Sequence, residues 1–247
     1  MFSQSFQNLL KYFRITNHNR TNKLEPEELK HYILGTPLNY QAAENEEEII
    51  LGCGCFWGAE KGFWKLPGVI TTAVGYAGGE QNQATYAKVC SGSSGHVEVV
   101  KVVWNKSIID LSDILKMFWE CHDPTQGNRQ GNDSGTQYRS VIFTSNKQQE
   151  KIALISKESY QKDLSKGGYS TITTEIKSGK IFYFAEEYHQ QYLAKPGSRP
   201  YCSAMPTSIA LNHFKGSNFK LDKTVWDNFD WSKSHCVIRS NNDPIVI

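Results

Sequence analysis

Apolar residues recur along the middle of the chain in short runs whose spacing alternates between that of strands and that of helices. Residues 49–52 form an apolar run ending in a glycine-rich turn, which predicts a buried strand. Apolar positions then recur at helical spacing through residues 56–64, until Pro67 and Gly68 stop the helix. Residues 97–104 alternate most clearly and predict a strand. The same patterns predict a strand at 69–76, a helix at 111–121, a strand at 138–144, a helix at 147–164 and one or two strands within 171–184.

Strands and helices in this irregular order predict an α+β domain of two layers over about residues 47–205. Residues 1–46 form an N-terminal extension before this domain, and residues 206–247 form a C-terminal tail after it. The tail carries Trp226, Phe229 and Trp231 among charges and asparagines, so we expect it to dock on the domain surface. The predicted fold is therefore a mixed-sheet sandwich with extended segments at both ends.

The N-terminal extension changes character along its length. Residues 1–24 contain four Lys or Arg residues and no Asp or Glu, with apolar residues at the spacing of an amphipathic helix. Two interpretations stay open: a mitochondrial import peptide, and a disordered or loosely docked extension. A short acidic helix is predicted at residues 25–32, with Pro26 in its first turn. The acidic cluster at residues 44–48 is predicted to be the solvated edge of a linker.

The composition argues against several classes of function. The 247 residues include 27 Lys and Arg against 25 Asp and Glu, so no strong field attracts nucleic acid or an anionic membrane. Polar residues interrupt every apolar run before it reaches the roughly 18 residues that a membrane helix needs. The six cysteines are too sparse for a disulfide scaffold in so long a chain, which favours a reducing compartment. We expect a cytoplasmic protein, or a mitochondrial one if residues 1–24 direct import.

Cys55 lies at the junction between the predicted strand at 49–52 and the predicted helix at 56–64. A thiol at a helix N-terminus is close to the positive end of the backbone dipole and to unpaired N–H groups, which favour the thiolate. A buried structural cysteine in a tight turn is the competing interpretation. Cys53 forms a C-x-C pair with Cys55, but no second cluster with metal-ligand spacing follows. The neighbours Cys121 and His122 are expected to point in different directions, so no metal site is predicted.

Several blocks follow one another in a characteristic order. The first is GCFWGAE around Cys55, and the others are GYAGG at 75–79, TY at 85–86, GHVEV at 95–99, HDPTQG at 122–127, RQGND at 129–133, GTQYRS at 135–140 and AEEYHQQYL at 185–193. Together they resemble the A-type peptide methionine sulfoxide reductase family over residues 47–205. The resemblance implies a ferredoxin-like core and a thiol enzyme that uses neither a metal nor an organic cofactor.

The resemblance also implies a role for each matched residue. Cys55 matches the nucleophile that attacks the sulfur of methionine S-sulfoxide and is left as a sulfenic acid when methionine is released. Glu98 matches the acid that protonates the sulfoxide oxygen, and desolvation in an apolar pocket can raise its pKa from about 4.3 to about 7. Tyr86 and Tyr138 match the phenols that hydrogen-bond this oxygen, and Asp133 matches the acid that orders the site. Phe56 and Trp57 match the apolar walls that receive the substrate's methyl group.

The sulfenic acid must be reduced before another turnover, which requires a second thiol. Cys202 follows a loop rich in Pro and Gly, and we expect it to approach Cys55 by moving and to form a disulfide that thioredoxin opens. Cys236 remains open between a second relay thiol and a bystander. The other cysteines and two histidines next to matched blocks are predicted to be structural: Cys53, Cys90, Cys121, His96 and His122.

The predicted function is the repair of methionine S-sulfoxide, in oxidised proteins and as the free amino acid, by a monomer that thioredoxin reduces. One rival is a peroxidase, because an activated thiol with a resolving partner also reduces peroxides; that reading gives no reason for Phe56 and Trp57. The other rival is a redox-sensing or protein-binding module with an inactive site, in which binding would survive Cys55→Ser.

Overall fold

The fold is built on a sheet of mixed strand direction, which a computed structural model describes over residues 29–80, 84–233 and 236–247. The strands are β1 (Glu46–Cys53), β2 (Val69–Ala77), β3 (Val97–Asn105), β4 (Arg129–Gln130), β5 (Asp133–Ser134), β6 (Ser140–Thr144), β7 (Glu175–Ser178) and β8 (Phe182–Phe184). The α-helices are α1 (Phe56–Trp64), α2 (Tyr86–Cys90), α3 (Leu111–Glu120), α4 (Lys147–Lys166), α5 (Lys223–Trp226) and α6 (Cys236–Arg239). Short 3-10 turns occupy Thr136–Tyr138, Glu187–His189 and Tyr192–Ala194.

Six of the strands form one sheet in the order β7-β6-β1-β3-β2-β8. All neighbours in it are antiparallel except β6 and β7, which are parallel. The central strand β3 is buried on both faces, as its run of β-branched residues favours. Its side chains alternate between the faces: Val100 and Val102 belong to the main hydrophobic cluster, while Val97 and Val99 belong to a second, smaller cluster.

The main cluster includes apolar side chains from α1, α3 and α4, which therefore pack against the sheet. The start of α3 is fixed by a capping box, in which Asp110 accepts the N–H of Ser112 and Asp113 accepts the N–H of Asp110. Since α1 follows β1 and α3 follows the antiparallel strand β3, the two helices run in opposite directions. The C-terminal end of α3 thus lies beside the N-terminal end of α1.

The α+β class with a mixed sheet is confirmed, and the central strands and helices form where the patterns predict them. Residues 171–184 contain two strands, and the strand predicted from residue 138 begins at Ser140 because a 3-10 turn precedes it. The helix predicted at residues 25–32 is wrong over 29–32, where Lys30 instead bridges to Pro37, and residues 25–28 lie outside the described residues. The import-peptide hypothesis also concerns residues outside that range.

The acidic cluster is not a linker edge, because Glu46, Glu47 and Glu48 form the first half of β1 and pair with β3. Their side chains find polar partners there. Glu47 accepts a hydrogen bond from Gln149 Nε2, and Glu48 lies 3.9 Å from Lys101 Nζ. Backbone pairing with β3 therefore extends the strand through residues whose own propensity for strands is low.

The C-terminal tail contributes to the main cluster through buried side chains of Leu211, Phe214, Leu221, Val225 and Phe229. Its last residues lie along α1 and its C-cap, where Ile245 donates its N–H to the carbonyl of Lys65 at 2.9 Å. Among the described residues, no helix combines the length and the apolar character that crossing a bilayer requires.

Candidate active site

Cys55 occupies the N-cap position of α1, two residues after the end of β1. Gly54 makes the sharp turn between them with a φ of +89°, a left-handed conformation that glycine adopts without strain. A Cβ at this position would lie only 2.6 Å from Gln130 Cβ. The turn therefore requires glycine, and it leaves Cys55 partly exposed at the start of the helix.

The pKa of the Cys55 thiol is raised well above its ordinary value, chiefly by burial and then by the negative charges of Glu98 and Asp133. A hydrogen bond from the backbone N–H of Trp57 acts in the opposite direction but does not prevail. The prediction of a depressed thiol pKa is therefore wrong. The helix terminus does supply the expected N–H group, but desolvation by the surrounding site outweighs it.

Glu98 lies on β3 opposite Tyr76 of β2 and is almost completely buried, with 2% of its surface exposed. One of its carboxylate oxygens accepts the backbone N–H of Phe56, in the first turn of α1, at 3.2 Å. Burial raises the pKa of Glu98 to about 8, while the Phe56 hydrogen bond acts to lower it. At neutral pH this carboxyl group carries a proton and lies next to the helix that Cys55 begins.

Two phenols complete the surroundings of Glu98. Burial raises the pKa of Tyr86 and of Tyr138, and the charge of Glu98 contributes to both shifts. The charge of Cys55 acts on both phenols as well, which indicates that these groups share one site. Glu186 positions α2 by accepting the backbone N–H of Tyr86 at 3.1 Å, and it also accepts the hydroxyl of Tyr76 at 2.8 Å.

Phe56 and Trp57 are buried at the start of α1, and Trp57 is held from two sides. Its indole N–H donates to His189 Nδ1 at 3.1 Å, and its ring stacks on Tyr192 at 3.9 Å between centroids. Burial lowers the pKa of His189 to about 3, so the imidazole is neutral and can accept this bond. The two aromatic side chains therefore form a fixed apolar wall beside Cys55.

Asp133 connects this site to the segment around Cys202. Its two carboxylate oxygens accept the hydroxyl of Tyr201, at 2.5 Å, and the hydroxyl of Ser203. Cys202, between these two residues, is buried, and burial raises the pKa of its thiol to about 11. The Cys202 sulfur packs against Gly58 of α1, where a Cβ would lie 2.7 Å from it. The segment is thus docked against α1, and Cys55 and Cys202 are both free thiols.

One group of possible metal ligands is present in the described part of the chain. Donor atoms of Cys53, Cys121 and His122 lie within 4.8 Å of one another, so the expectation that Cys121 and His122 diverge is wrong. Both nitrogens of His122 already have partners, the carbonyl of Phe118 at 2.7 Å and the hydroxyl of Ser140 at 2.8 Å. A metal ion here would have to displace one of these hydrogen bonds.

Comparison with known proteins identifies the family. The family model described as peptide methionine sulfoxide reductase matches residues 47–222. An MsrA protein of Vibrio vulnificus is 49% identical over 181 residues, which cover 73% of this chain and 86% of the relative. The chain belongs to the A-type peptide methionine sulfoxide reductase family. It is therefore similar to oxidoreductases that reduce methionine sulfoxide, and we assign it that enzyme class.

Other members of the reductase family support the same assignment. A mitochondrial peptide methionine sulfoxide reductase of Rattus norvegicus is 49% identical over 185 residues, covering 75% of this chain and 79% of the relative. Among solved structures, methionine sulfoxide reductase A of Corynebacterium diphtheriae matches with a TM-score of 0.67 and 41% identity, over 75% of this chain and 89% of that one. Reduced Mxr1 of Saccharomyces cerevisiae matches with a TM-score of 0.61 and 34% identity, over 70% and 97%.

The residues assigned from resemblance to this reductase family come together around the start of α1. Sequence reasoning missed the residues that support them: Glu186, His189, Tyr192, Tyr201 and Ser203. Glu186, His189 and Tyr192 belong to the block at 185–193. The resemblance of that block to the family was the signal that could have assigned them a supporting role. Cys90 is half-buried and hydrogen-bonded to the hydroxyl of Tyr86, close to the site. The side chain of Cys236 lies outside the described part of the structure.

Proposed function

We propose that this reductase reduces methionine S-sulfoxide, in proteins and as the free amino acid, with Cys55 as nucleophile and Glu98 as proton donor. The observation that carries the proposal is the buried carboxyl group of Glu98, which accepts a hydrogen bond from the first turn of the helix that Cys55 begins and whose pKa burial raises. Expelling oxygen from a sulfoxide requires a proton on that oxygen. A carboxyl group with a pKa of about 8 holds such a proton at neutral pH.

The neutral state of Glu98 also bears on the nucleophile. An ionised Glu98 would oppose formation of the Cys55 thiolate, but at pH 7 most of this charge is absent. The Cys55 sulfur then attacks the sulfoxide sulfur, the oxygen ends on Cys55 as a sulfenic acid, and methionine leaves. Tyr86 and Tyr138 donate hydrogen bonds to the oxygen as negative charge develops on it. Asp133 orders the site through Tyr201 and Ser203.

Substrate recognition is assigned to Phe56 and Trp57, which receive the terminal methyl group on their apolar faces. The fixed position of Trp57 between His189 and Tyr192 supports this role. A peroxide has no group that needs such a wall. This difference separates the proposed activity from that of a thiol peroxidase.

The test compares wild type and Cys55→Ser with dithiothreitol as reductant. We expect wild type to reduce the S epimer of free methionine sulfoxide and oxidised protein substrates, and Cys55→Ser to be inactive but folded by circular dichroism. Cys236→Ser is the matched control and should keep the wild-type rate with this reductant. Turnover by Cys55→Ser, or a peroxide rate above the sulfoxide rate in wild type, would contradict the proposal.

Recycling is assigned to Cys202, whose thiol attacks the Cys55 sulfenic acid, forms a disulfide and releases water. The packing of its sulfur on Gly58, one turn into α1, supports this role. Thioredoxin is the proposed reductant of the Cys55–Cys202 disulfide. Mass-spectrometric mapping after one turnover should find this disulfide, and its disappearance on adding reduced thioredoxin should accompany renewed activity. A first disulfide without Cys202 would contradict the assignment.

The remaining proposals concern organisation. We propose residues 47–205 as the catalytic domain, with residues 1–46 as an extension and 206–247 as a tail, in a monomeric protein. A ferredoxin-like core is supported by the order β6-β1-β3-β2 of four antiparallel strands, with helices after β1 and β3. The cytoplasm is the proposed compartment and mitochondria the alternative. Fusing residues 1–24 to a fluorescent protein tests import directly, and mitochondrial fluorescence would select the alternative.

A further inference from the structure

A second pair of thiols lies close to Cys55. Cys53 is the last residue of β1, and Cys121 is the C-cap residue of α3. The two thiols are buried and hydrogen-bonded to each other, and their sulfur atoms lie within 4.8 Å. Neither has a part in the reaction proposed above. Both ring nitrogens of His122 already have hydrogen-bond partners, so the two sulfur atoms are the groups of this cluster that are available to react.

The topology brings this pair to the same end of the domain as the catalytic thiols. Gly62 of α1 packs on Met117 of α3, where a Cβ would lie 3.2 Å from the Met117 sulfur. Gly58, one turn nearer the start of α1, packs on the Cys202 sulfur. Cys121 lies one turn beyond Met117, and its N–H donates to the Met117 carbonyl at 3.0 Å. Because the helices run in opposite directions, Cys121 lies toward Cys202, and its charge contributes to the raised pKa of the Cys202 thiol.

We propose that Cys53 and Cys121 are an internal dithiol that accepts the disulfide from Cys55 and Cys202. One protein molecule would then reduce two sulfoxides before it needs an external reductant. This inference rests on the proposed function, because the first sulfoxide must oxidise Cys55.

Each exchange step conserves electrons and atoms. After the Cys55–Cys202 disulfide has formed and water has left, the Cys121 thiolate attacks the Cys202 sulfur. The Cys121–Cys202 bond forms, the Cys55–Cys202 bond breaks, and Cys55 leaves as a thiolate that takes up the proton lost by Cys121. Cys53 then attacks the Cys121 sulfur, which forms the Cys53–Cys121 disulfide and returns Cys202 to the thiol. The sulfoxide is the oxidant throughout, and the dithiol ends as its two-electron oxidised form.

The first and the second sulfoxide are reduced at different rates. The first uses the partly exposed Cys55 and the docked Cys202. The second must wait for two exchange steps, through the buried thiols of Cys121 and Cys53, before Cys55 is free again. We therefore expect a fast phase followed by a slow phase of methionine formation.

The experiment measures methionine formed per protein molecule from free L-methionine S-sulfoxide without reductant. The Cys236→Ser protein is the reference, because it removes the thiol that the sequence leaves open as a second relay. We expect about two methionines per molecule in this protein and about one in the double variant Cys236→Ser, Cys121→Ser. With dithiothreitol, which opens the Cys55–Cys202 disulfide directly, the two proteins should turn over at the same rate.

Disulfide mapping makes the test independent of whether the Cys121 variant folds. In the oxidised Cys236→Ser protein, peptides linking Cys53 to Cys121 and Cys55 to Cys202 should both be present. A yield of about one methionine in that protein, or the absence of a Cys53–Cys121 link, would overturn the inference while leaving the proposed function intact. A yield near zero would instead indicate that the proposed function itself is wrong.

Discussion

Replacing Glu98 by glutamine should remove activity and raise stability at the same time. Glutamine has the shape of the protonated carboxyl group and keeps an oxygen that can accept the Phe56 N–H, so the site's geometry is preserved. It cannot give a proton to a sulfoxide oxygen. The variant therefore separates the proton of Glu98 from its packing.

The size of the stability change follows from the raised pKa. In the folded protein Glu98 keeps its proton up to about pH 8, whereas an unburied glutamate has a pKa of 4.5. Between these values the folded state binds a proton that the unfolded state has lost, so the free energy of unfolding decreases as pH rises. The contribution is fully present below pH 4.5 and lost by pH 8. Its slope is about 1.4 kcal/mol per pH unit, which amounts to about 4 kcal/mol from pH 5 to 8.

Urea unfolding of wild type and Glu98→Gln at pH 5 and pH 8 measures this term. Subtracting the free energy of unfolding of one protein from that of the other removes the contribution of every other titrating group. One such group is Glu60, whose pKa is raised to about 7 by burial. We expect the variant's advantage in free energy of unfolding to grow by about 4 kcal/mol over this range. At pH 7 the rate of methionine formation should fall by about 10²- to 10⁴-fold, the usual contribution of a general acid. Glu158→Gln, at an exposed position of α4, is the control and should change neither quantity.

Two results would refute this reasoning. If the stability difference does not change with pH, Glu98 has the same charge in the folded and unfolded states, and it is not a neutral buried acid at pH 7. If Glu98→Gln reduces sulfoxide at the wild-type rate, the proton comes from another group.

Three further predictions concern the segments around α1. Cys202→Ser should form about one methionine per molecule and then stall with thioredoxin, whereas sustained turnover would assign resolution to another thiol. Gly58→Ala places a Cβ 2.7 Å from the Cys202 sulfur and should slow thioredoxin-dependent turnover without changing the first methionine formed. Gly62→Ala, which meets only the flexible Met117 side chain at 3.2 Å, is its control, and equal rates for both would contradict the packing argument. Deleting residues 240–247 removes the carbonyl partners of the buried Lys61 and Lys65 ammonium groups. In urea denaturation this deletion should lower the free energy of unfolding by about 3 kcal/mol. An unchanged unfolding midpoint would show that these hydrogen bonds do not stabilise the fold.

The sequence by itself determined most elements of the domain and the position of the proposed nucleophile, Cys55. Hydrophobic spacing predicts β3 and α1, because alternating apolar positions favour a strand and apolar positions at helical spacing favour a helix. The burial of all nine residues of α1 and of both faces of β3 follows only from tertiary packing. The turn at Gly54 is likewise local, since its φ of +89° is a conformation that glycine adopts without strain. The resemblance of several ordered blocks then assigned roles to residues far apart in the chain.

Tertiary structure decided the chemistry of those residues. Local reasoning predicts a lowered pKa for Cys55 from the helix terminus, but burial and nearby acids act from elements distant in sequence and reverse the direction. The same burial gives Glu98 its proton, which the alternating pattern of β3 leaves undetermined. Acidic residues 46–48 join β1 only because β3 offers backbone partners. The contact between Cys53 and Cys121 also depends on how α3 packs beside α1, because no spacing rule relates a strand end to a helix end 68 residues later.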